Sequence, residues 1–387
     1  MGAALGLSGG AALKVAIDAM NALALVTDAF GSSGGIAQYN RDLIAALAEI
    51  TGANRIIVVP RLGDSNGTAL PPGVRQLKAQ GNRLSYSLTA LRAAAMLGPF
   101  DFVFCGHLHL APLAALLASG LGVPLWLQLH GYEAWDDMKR AERWSAERAK
   151  LITSVSRYTR RRFLSFAGVD PSCVRVLPNT FDGGFCPGAK SDVLLDRYGL
   201  RGKRILLTVS RLDPDERRKG HDRVIAALPV IVKAVPNAVY LIAGHGADRT
   251  RLETLAQSFG VADNVVFAGS VASDELPQLY RLADLFVMPS AQEGFGIVFL
   301  EAAASGLRSI GGNADGSIDA LADGAIGIVI DPNDGEALVR AIINGLEGGG
   351  PDPSGVGRFR FENFSGHVKN LVNGHLLSAA DATGVAQ

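Results

Sequence analysis

Short apolar runs alternate with longer amphipathic stretches along almost the whole chain. Arg55–Pro60, Phe100–Cys105, Pro124–Leu129, Leu151–Val155 and Cys173–Leu177 are short, apolar and bounded by turn residues, so they read as strands. Lys14–Asp18 reads as the first strand, and Ala22–Val26 is a further apolar stretch, but a short one. Ile36–Ile50 carries apolar residues at helical spacing. A turn-rich, apolar-poor break follows at Asp182–Gly188. Beyond it a second series begins, with strands at Arg204–Val209, Ala238–Ala243, Asn264–Ala268 and Leu285–Met288. Helix-like segments at Asp222–Ala234 and Asp274–Leu282 lie between them. Strand and helix alternating in this way predict parallel sheets covered by helices, an α/β fold in two domains.

The expected boundaries are residues 1–185, an N-terminal Rossmann-like domain, and 186–365, a C-terminal one. Residues 366–387 read as a C-terminal helix placed to pack back on the first domain, with a flexible tail from about Ser378. Ligands of such sheets sit at the carboxyl ends of strands, so a cleft between the two domains is the expected site.

Composition narrows the classes. The 46 glycines are about 12% of the 387 residues, against an average of roughly 7%, which fits many strand-to-helix turns. The formal net charge is zero, which gives no sign of a nucleic-acid partner. Cys105, Cys173 and Cys186 form neither a disulfide framework nor a metal spacing, so a cytoplasmic setting is expected. The first twelve residues lack a basic segment and do not read as a signal peptide. Leu110–Leu127 is apolar and long, but Pro112, Gly120, Gly122 and Pro124 break it, so it reads as a buried helix and strand rather than a membrane span.

Candidate chemistry lies in the loops. In Glu293-Gly-Phe-Gly-Ile-Val-Phe-Leu-Glu301, two acids stand eight positions apart across a glycine loop leading into a helix. A helical path of that length rises roughly 12 Å. Glycosidase carboxyl pairs sit about 5–9.5 Å apart, so this pair does not suit one scissile bond. It suits two ends of an extended polar ligand, or else a solvated loop acid and an unrelated helix-face acid. Gly31-Ser-Ser-Gly-Gly35 opens onto a helix, as an anion cradle or a plain turn would. In Ser210–Gly220, Arg211 and Lys219 flank a turn and suit a phosphate. Asp213 and Asp215 in that turn read as solvated rather than metal-binding, and no metal is assigned.

Gly244-His-Gly lacks the third glycine of a dinucleotide fingerprint and reads as a tight turn, which argues against an NAD oxidoreductase. His130 ends a strand and either faces the cleft or is structural. His107 and His109, with Cys105, are too close along one strand end to converge on zinc. Residues 139–162 hold nine basic side chains and two acids, with Trp144 and Tyr158 interleaved. They suit an anionic membrane surface or acceptor, or are an ordinary charged helix face.

Together these motifs resemble glycosyltransferase family 4, with its GT-B fold of two Rossmann-like domains facing across a cleft. Glu293–Glu301 matches the family's E-x7-E element, Arg211 with Lys219-Gly220 its R…KG segment, and Gly34-Gly35-Ile36 its N-terminal glycine loop. Pro178-Asn-Thr-Phe-Asp182 resembles the junction motif PNGVD, departing at Thr180 and Phe181. The resemblance implies a retaining, metal-independent transfer of a hexose from a nucleotide-diphosphate sugar, with no cofactor. Arg211 and Lys219 would neutralise the diphosphate. Glu293 would hold sugar hydroxyls and Glu301 ribose hydroxyls. Gly294, Phe295 and Gly296 would line the donor, Gly34 and Gly35 would admit its phosphate, and His130 would touch the sugar. Leu307–Asp319 departs from the family's Pro-Val strand and Gly-Gly turn. Arg218–Asp222 and Gly312–Ser317 resemble bacterial exopolysaccharide mannosyltransferases that use GDP-mannose. A glycan or lipid-linked acceptor, met at the inner face of the plasma membrane, is the corresponding expectation. A nucleotide-sugar epimerase or a non-catalytic nucleotide-sugar-binding protein on the same scaffold is the alternative.

Overall fold

The structure is a computed structural model that describes residues 20–51, 55–63 and 69–376. The strand expected at Lys14–Asp18 and the tail from Ser378 lie outside the described residues. The chain divides into two compact units, one ending at Asn179 and resumed at Phe361, the other spanning Thr180–Arg360.

In the first unit the elements are β1 (Ala22–Val26), α1 (Gly35–Thr51), β2 (Ile56–Pro60), β3 (Val74–Gln76), α2 (Arg83–Met96) and β4 (Phe102–Cys105). They continue with α3 (Ala111–Leu121), β5 (Leu125–Leu129), α4 (Arg140–Ala146), β6 (Leu151–Ser154), α5 (Arg157–Leu164) and β7 (Val174–Val176). The seven strands are parallel in the order β3-β2-β1-β4-β5-β6-β7. The described sheet therefore starts from Ala22–Val26, which the sequence marks only as a short apolar stretch. Its position explains its composition. It sits mid-sheet, Ala22 opposite both Ile56 and Phe102, and all five residues are buried. A strand covered on both faces needs no polar alternation.

Tyr86 and Ala90 of α2 and Ala114 and Ala115 of α3 pack with Leu23, Leu25 and Val103 in one core. The three-residue edge strand β3 carries too short an apolar pattern to be read from sequence.

The second unit runs α6 (Asp192–Arg197), β8 (Arg204–Val209), α7 (His221–Ala234), β9 (Ala238–Ala243), α8 (Arg249–Ser258), β10 (Val265–Gly269) and α9 (Leu276–Leu282). It ends with β11 (Leu285–Met288), α10 (Ile297–Ala304), β12 (Ser309–Gly312), α11 (Ser317–Ala320), β13 (Ile328–Ile330) and α12 (Gly335–Leu346). Its six parallel strands follow the order β10-β9-β8-β11-β12-β13. The departing segment after Gly306 still supplies a strand, β12, despite lacking the Pro-Val pattern. Helix α13 (Phe361–Leu371) then belongs to the first unit, where Phe364 meets Tyr39 of α1 edge-to-face at 5.9 Å. The Thr180 hydroxyl donates to the Phe359 carbonyl at 2.7 Å, fastening the start of the second unit to its end.

The backbone is drawn tight where β11 and β12 end. A Cβ on Gly312 would lie 1.9 Å from the Ser290 carbonyl oxygen, and one on Gly316 would lie 2.1 Å from that of Gly294. Any side chain there forces the loops apart. Gly312→Ala should therefore lower stability by about 1–3 kcal/mol or more, read as a fall in thermal midpoint. Gly335→Ala at the start of α12 meets nothing within 4 Å and should leave the midpoint unchanged or slightly raised. Equal midpoints for the two variants would contradict this account of the crossing.

Candidate active site

In an open parallel sheet, ligands collect beyond the carboxyl ends of strands where the strand order reverses. The first sheet reverses between β1 and β4, the second between β8 and β11. The glycine loop at Gly34-Gly35 follows β1, the Arg211–Lys219 turn follows β8 and the Glu293 loop follows β11, while His130 follows β5.

In the second unit, β8 leads into Ser210 and Arg211, and a 3-10 turn, Pro214–Lys219, closes on Gly220. Gly220 has φ +91, and a Cβ there would lie 2.6 Å from the Pro289 carbonyl oxygen, so the β8 and β11 loops touch through bare backbone. Across this contact the Lys219 ammonium pairs with the Glu293 carboxylate, both side chains about 15% exposed. Glu216 accepts from Arg211 and lies 3.8 Å from Lys219, so one carboxylate spans the two cations. Arg211 is itself exposed. In the Asp-x-Asp pair, Asp213 accepts the Asp215 N–H at 3.1 Å, a turn cap.

Glu293 lies in the loop, and Glu301 lies inside α10 with Gly296 in the left-handed region at φ +90 just before the helix. Phe295 is buried and meets Phe359 at 6.0 Å. Glu301 accepts from the Tyr280 hydroxyl at 2.7 Å. Burial, with the Asp182 charge adding to it, pushes the Glu301 carboxyl up to about 7 against that hydrogen bond.

Residues that the sequence reading passed over brace this half. Asp315 is buried and accepts from the Ser290 hydroxyl at 2.8 Å and the Ser317 N–H at 2.9 Å. Gly316 N–H donates to the Glu293 carbonyl at 2.8 Å. The Gly312–Ser317 run thus holds the glycine loop from behind. Burial, with Glu293 nearby, pushes Asp315 up to about 6. His221, directly after Gly220, lies 2.8 Å from both the Ser210 hydroxyl and the Tyr240 hydroxyl, and burial lowers it to about 4. The sequence signal for Asp315 was its place in a segment already marked as a departure. For Glu216 and His221 it was adjacency to the two cations.

In the first unit, Gly34 (φ +111) and Gly35 open α1, and a Cβ on either would meet nothing within 4 Å. That leaves the helix start accessible to a ligand. His130 ends β5, its Nε2 donating to the Gly106 carbonyl at 2.9 Å, and its backbone N–H donates to Glu133 at 2.5 Å. A carbonyl can only accept, so Nε2 carries the proton and Nδ1 is the acceptor. Burial holds the ring below its ordinary pKa, hence neutral. Tyr39 meets the ring edge-to-face at 5.2 Å. The His107 and His109 rings lie 4.8 Å apart and make different hydrogen bonds. His107 Nδ1 accepts the His109 N–H at 3.2 Å, while His109 Nδ1 faces Glu142 at 3.0 Å. Gly244-His-Gly is the expected tight turn, between β9 and α8.

The basic stretch 139–162 spreads over α4, β6 and α5. Several of its guanidinium groups cap backbone carbonyls. Arg143 donates to Phe166, Arg160 to Val174 and Pro171, and Arg162 to Trp135. Arg148 stacks over Trp144 at 4.4 Å. Among the described residues, no helix is long and apolar enough to cross a membrane.

Known proteins share this build. Residues 33–183 match the Glycosyltransferase Family 4 profile and residues 196–353 the profile for Glycosyl transferases group 1. A GDP-mannose-dependent alpha-(1-6)-phosphatidylinositol monomannoside mannosyltransferase of Mycolicibacterium smegmatis is 34% identical over 268 residues, 65% of this chain and 69% of that one. A Mycobacterium tuberculosis enzyme of the same name is 36% identical over 60% of this chain and 62% of its own length. Among solved structures, Anabaena HepE in complex with UDP and glucose superposes with TM-score 0.74 at 20% identity, over 92% of this chain and all of that one. Sucrose-phosphate synthase from Thermosynechococcus elongatus does so with TM-score 0.67 at 22% identity, over 91% and 94%. These two likenesses show the fold, GT-B. The chain belongs to glycosyltransferase family 4.

Proposed function

We propose that this glycosyltransferase moves a hexose of the mannose type from GDP-mannose to a lipid-linked or glycan acceptor in the building of a bacterial glycan, with retention of configuration. The observation that carries the reading is the charge cluster at the β8/β11 switch, where Arg211 and Lys219 lie within reach of one carboxylate, Glu216. A diphosphate is an anion that could take its place between those two cations. Relatives named for GDP-mannose and for a phosphatidylinositol mannoside acceptor support the donor and the acceptor class.

The chemistry follows from the residues. As the bond between sugar and phosphate breaks, negative charge grows on the leaving diphosphate. Arg211 and Lys219 stabilise it, a fork and a point charge. Glu293, fixed by Lys219 and by the Gly316 N–H, offers its remaining lone pairs to sugar hydroxyls. Glu301 has a single neutral donor, Tyr280, and accepts ribose hydroxyls at its other lone pairs. In the first unit, His130 presents neutral Nδ1 toward the donor sugar and the Gly34-Gly35 backbone admits phosphate. The positive charge that leaving-group departure requires comes from side chains, and on that ground we read the transfer as independent of metal. Exposed basic groups such as Arg140 and Arg161 suit an anionic membrane surface beside the acceptor.

Lys219→Ala and Glu293→Gln should each cost roughly 100-fold or more in kcat for transfer from GDP-mannose, with unchanged circular dichroism. Near-wild-type turnover in both would refute the assignment. Transfer should persist in excess EDTA, and its abolition there, restored by Mg2+ or Mn2+, would overturn the metal-independent reading. Glu301 fixes a pH dependence. Its carboxyl is protonated below about 7 in the free protein. Only the ionised form offers ribose hydroxyls its full set of lone pairs. Donor affinity, measured by calorimetry, should therefore rise with pH toward 7 and level off above it, with proton release on binding. Glu301→Gln should bind more weakly and flatten that slope. A wild-type slope that persists in the Gln variant would assign it to another group.

A further inference from the structure

Helix α2, Arg83–Met96, is apolar on two opposite sides. Tyr86, Ala90, Ala93 and Ala94 face the core. Leu84, Leu88 and Leu91 recur at i, i+4 and i+7 on the other side and are 76%, 54% and 50% exposed. Met96, at the helix end, is also exposed. An outward stripe of leucines on a helix whose inner face is already satisfied has no role in folding the unit.

Its charge is one-sided too. From residue 69 to residue 100 the chain carries Arg75, Lys78, Arg83 and Arg92 and not one acid, although the whole protein is neutral. All four are exposed, and Arg92 lies one turn beyond Leu88 and next to Leu91. Helix α3, which packs beside α2, contains no charged residue and exposes Leu116.

We propose that the outer face of α2, with Leu84, Leu88 and Leu91 as its apolar contact and Arg83 and Arg92 as its rim, seats the first unit on an anionic lipid surface. Leucines enter the boundary between headgroups and acyl chains, while the arginine heads stay at the phosphates. The basic surroundings decide between a bilayer and a second copy of the chain. A two-fold pair built on this face would bring Arg83 and Arg92 of one copy against those of the other, and like charges repel. Anionic headgroups complement it. This surface is distinct from residues 139–162, several of whose guanidiniums are already committed to backbone carbonyls. It rests on the proposed function only for why an enzyme with a lipid-linked acceptor would need it.

Vesicle flotation of the full chain tests it, with phosphatidylcholine vesicles that contain or lack phosphatidylglycerol. Wild-type protein should float with the anionic vesicles, at least tenfold more weakly with the neutral ones, and less as salt is raised. The triple variant L84S/L88S/L91S should lose flotation at least tenfold while keeping its melting temperature. R83E/R92E should lose the preference for anionic lipid. Triple-variant flotation equal to wild type would overturn the proposal. So would a wild type that ignores anionic vesicles, or a wild-type dimer that the triple variant converts to monomer. Calorimetry with GDP-mannose on the same samples separates the two readings. Lost flotation with intact donor binding concerns this surface, whereas a wild type that binds no nucleotide sugar faults the transferase reading instead.

Discussion

The pairing of Lys219 with Glu293 is the interaction on which the second unit's site depends. Both groups are mostly withdrawn from water, so each loses hydration that the other helps to restore. The pair is weak evidence for stability, because an apolar substitute of similar shape would avoid that loss altogether. Its consequence is positional. It bridges the loop after β8 and the loop after β11, the two loops that flank the reversal of strand order. Without it, neither the ammonium nor the carboxylate has a fixed place from which to meet a ligand.

That pairing requires backbones that come closer than side chains allow. Gly220 lies against the Pro289 carbonyl, Gly312 against that of Ser290, and Gly316 against that of Gly294. Asp315 then locks the approach by accepting from Ser290 on one loop and Ser317 on the other. A carboxylate serves here because it offers two oxygens to two donors at once, where an amide would offer one. The raised pKa of Asp315 records what this brace costs in desolvation, partly offset by the two donors. The departing segment at 307–319 thus holds the glycine loop through Asp315 and Gly316, and its strand β12 is buried throughout without the proline.

The class of fold and the main charged residues were legible because they leave local signals. Central strands such as Leu285–Met288 are apolar on both faces, and the loops that follow them carry glycines next to charges. What escaped depends on partners distant in sequence. Ala22–Val26 becomes the first described strand only through neighbours at Ile56 and Phe102. Glu216 reads as one acid among many until the turn folds it between Arg211 and Lys219. Thr180, a departure in the junction motif, gains its meaning from a carbonyl 179 residues away. The expected boundaries at 185 and 365 follow composition, whereas the units divide after Asn179 and after Arg360, near where that hydrogen bond closes the second one. The α2 stripe escaped because an apolar residue on a helix is normally read as core, and only its exposure in the folded chain reverses that reading.

The two acids of the E-x7-E element are not interchangeable, and their surroundings say why. Glu293 has a cation for a partner, the Lys219 ammonium, so its charge is already answered. Glu301 has, among the described residues, the Tyr280 hydroxyl as its one donor, and burial brings its pKa close to neutrality. A site of the second kind does not attract a phosphate, since a carboxyl offers it no positive charge in either protonation state. It accepts neutral hydroxyl donors, which satisfy its spare lone pairs without adding charge. In the proposed transfer the cations take the diphosphate and the sugar beside it, and Glu301, whose donor among the described residues is the Tyr280 hydroxyl, takes the ribose. On that proposal the order of groups along a nucleotide sugar follows the order of answered and unanswered charge along one loop and one helix.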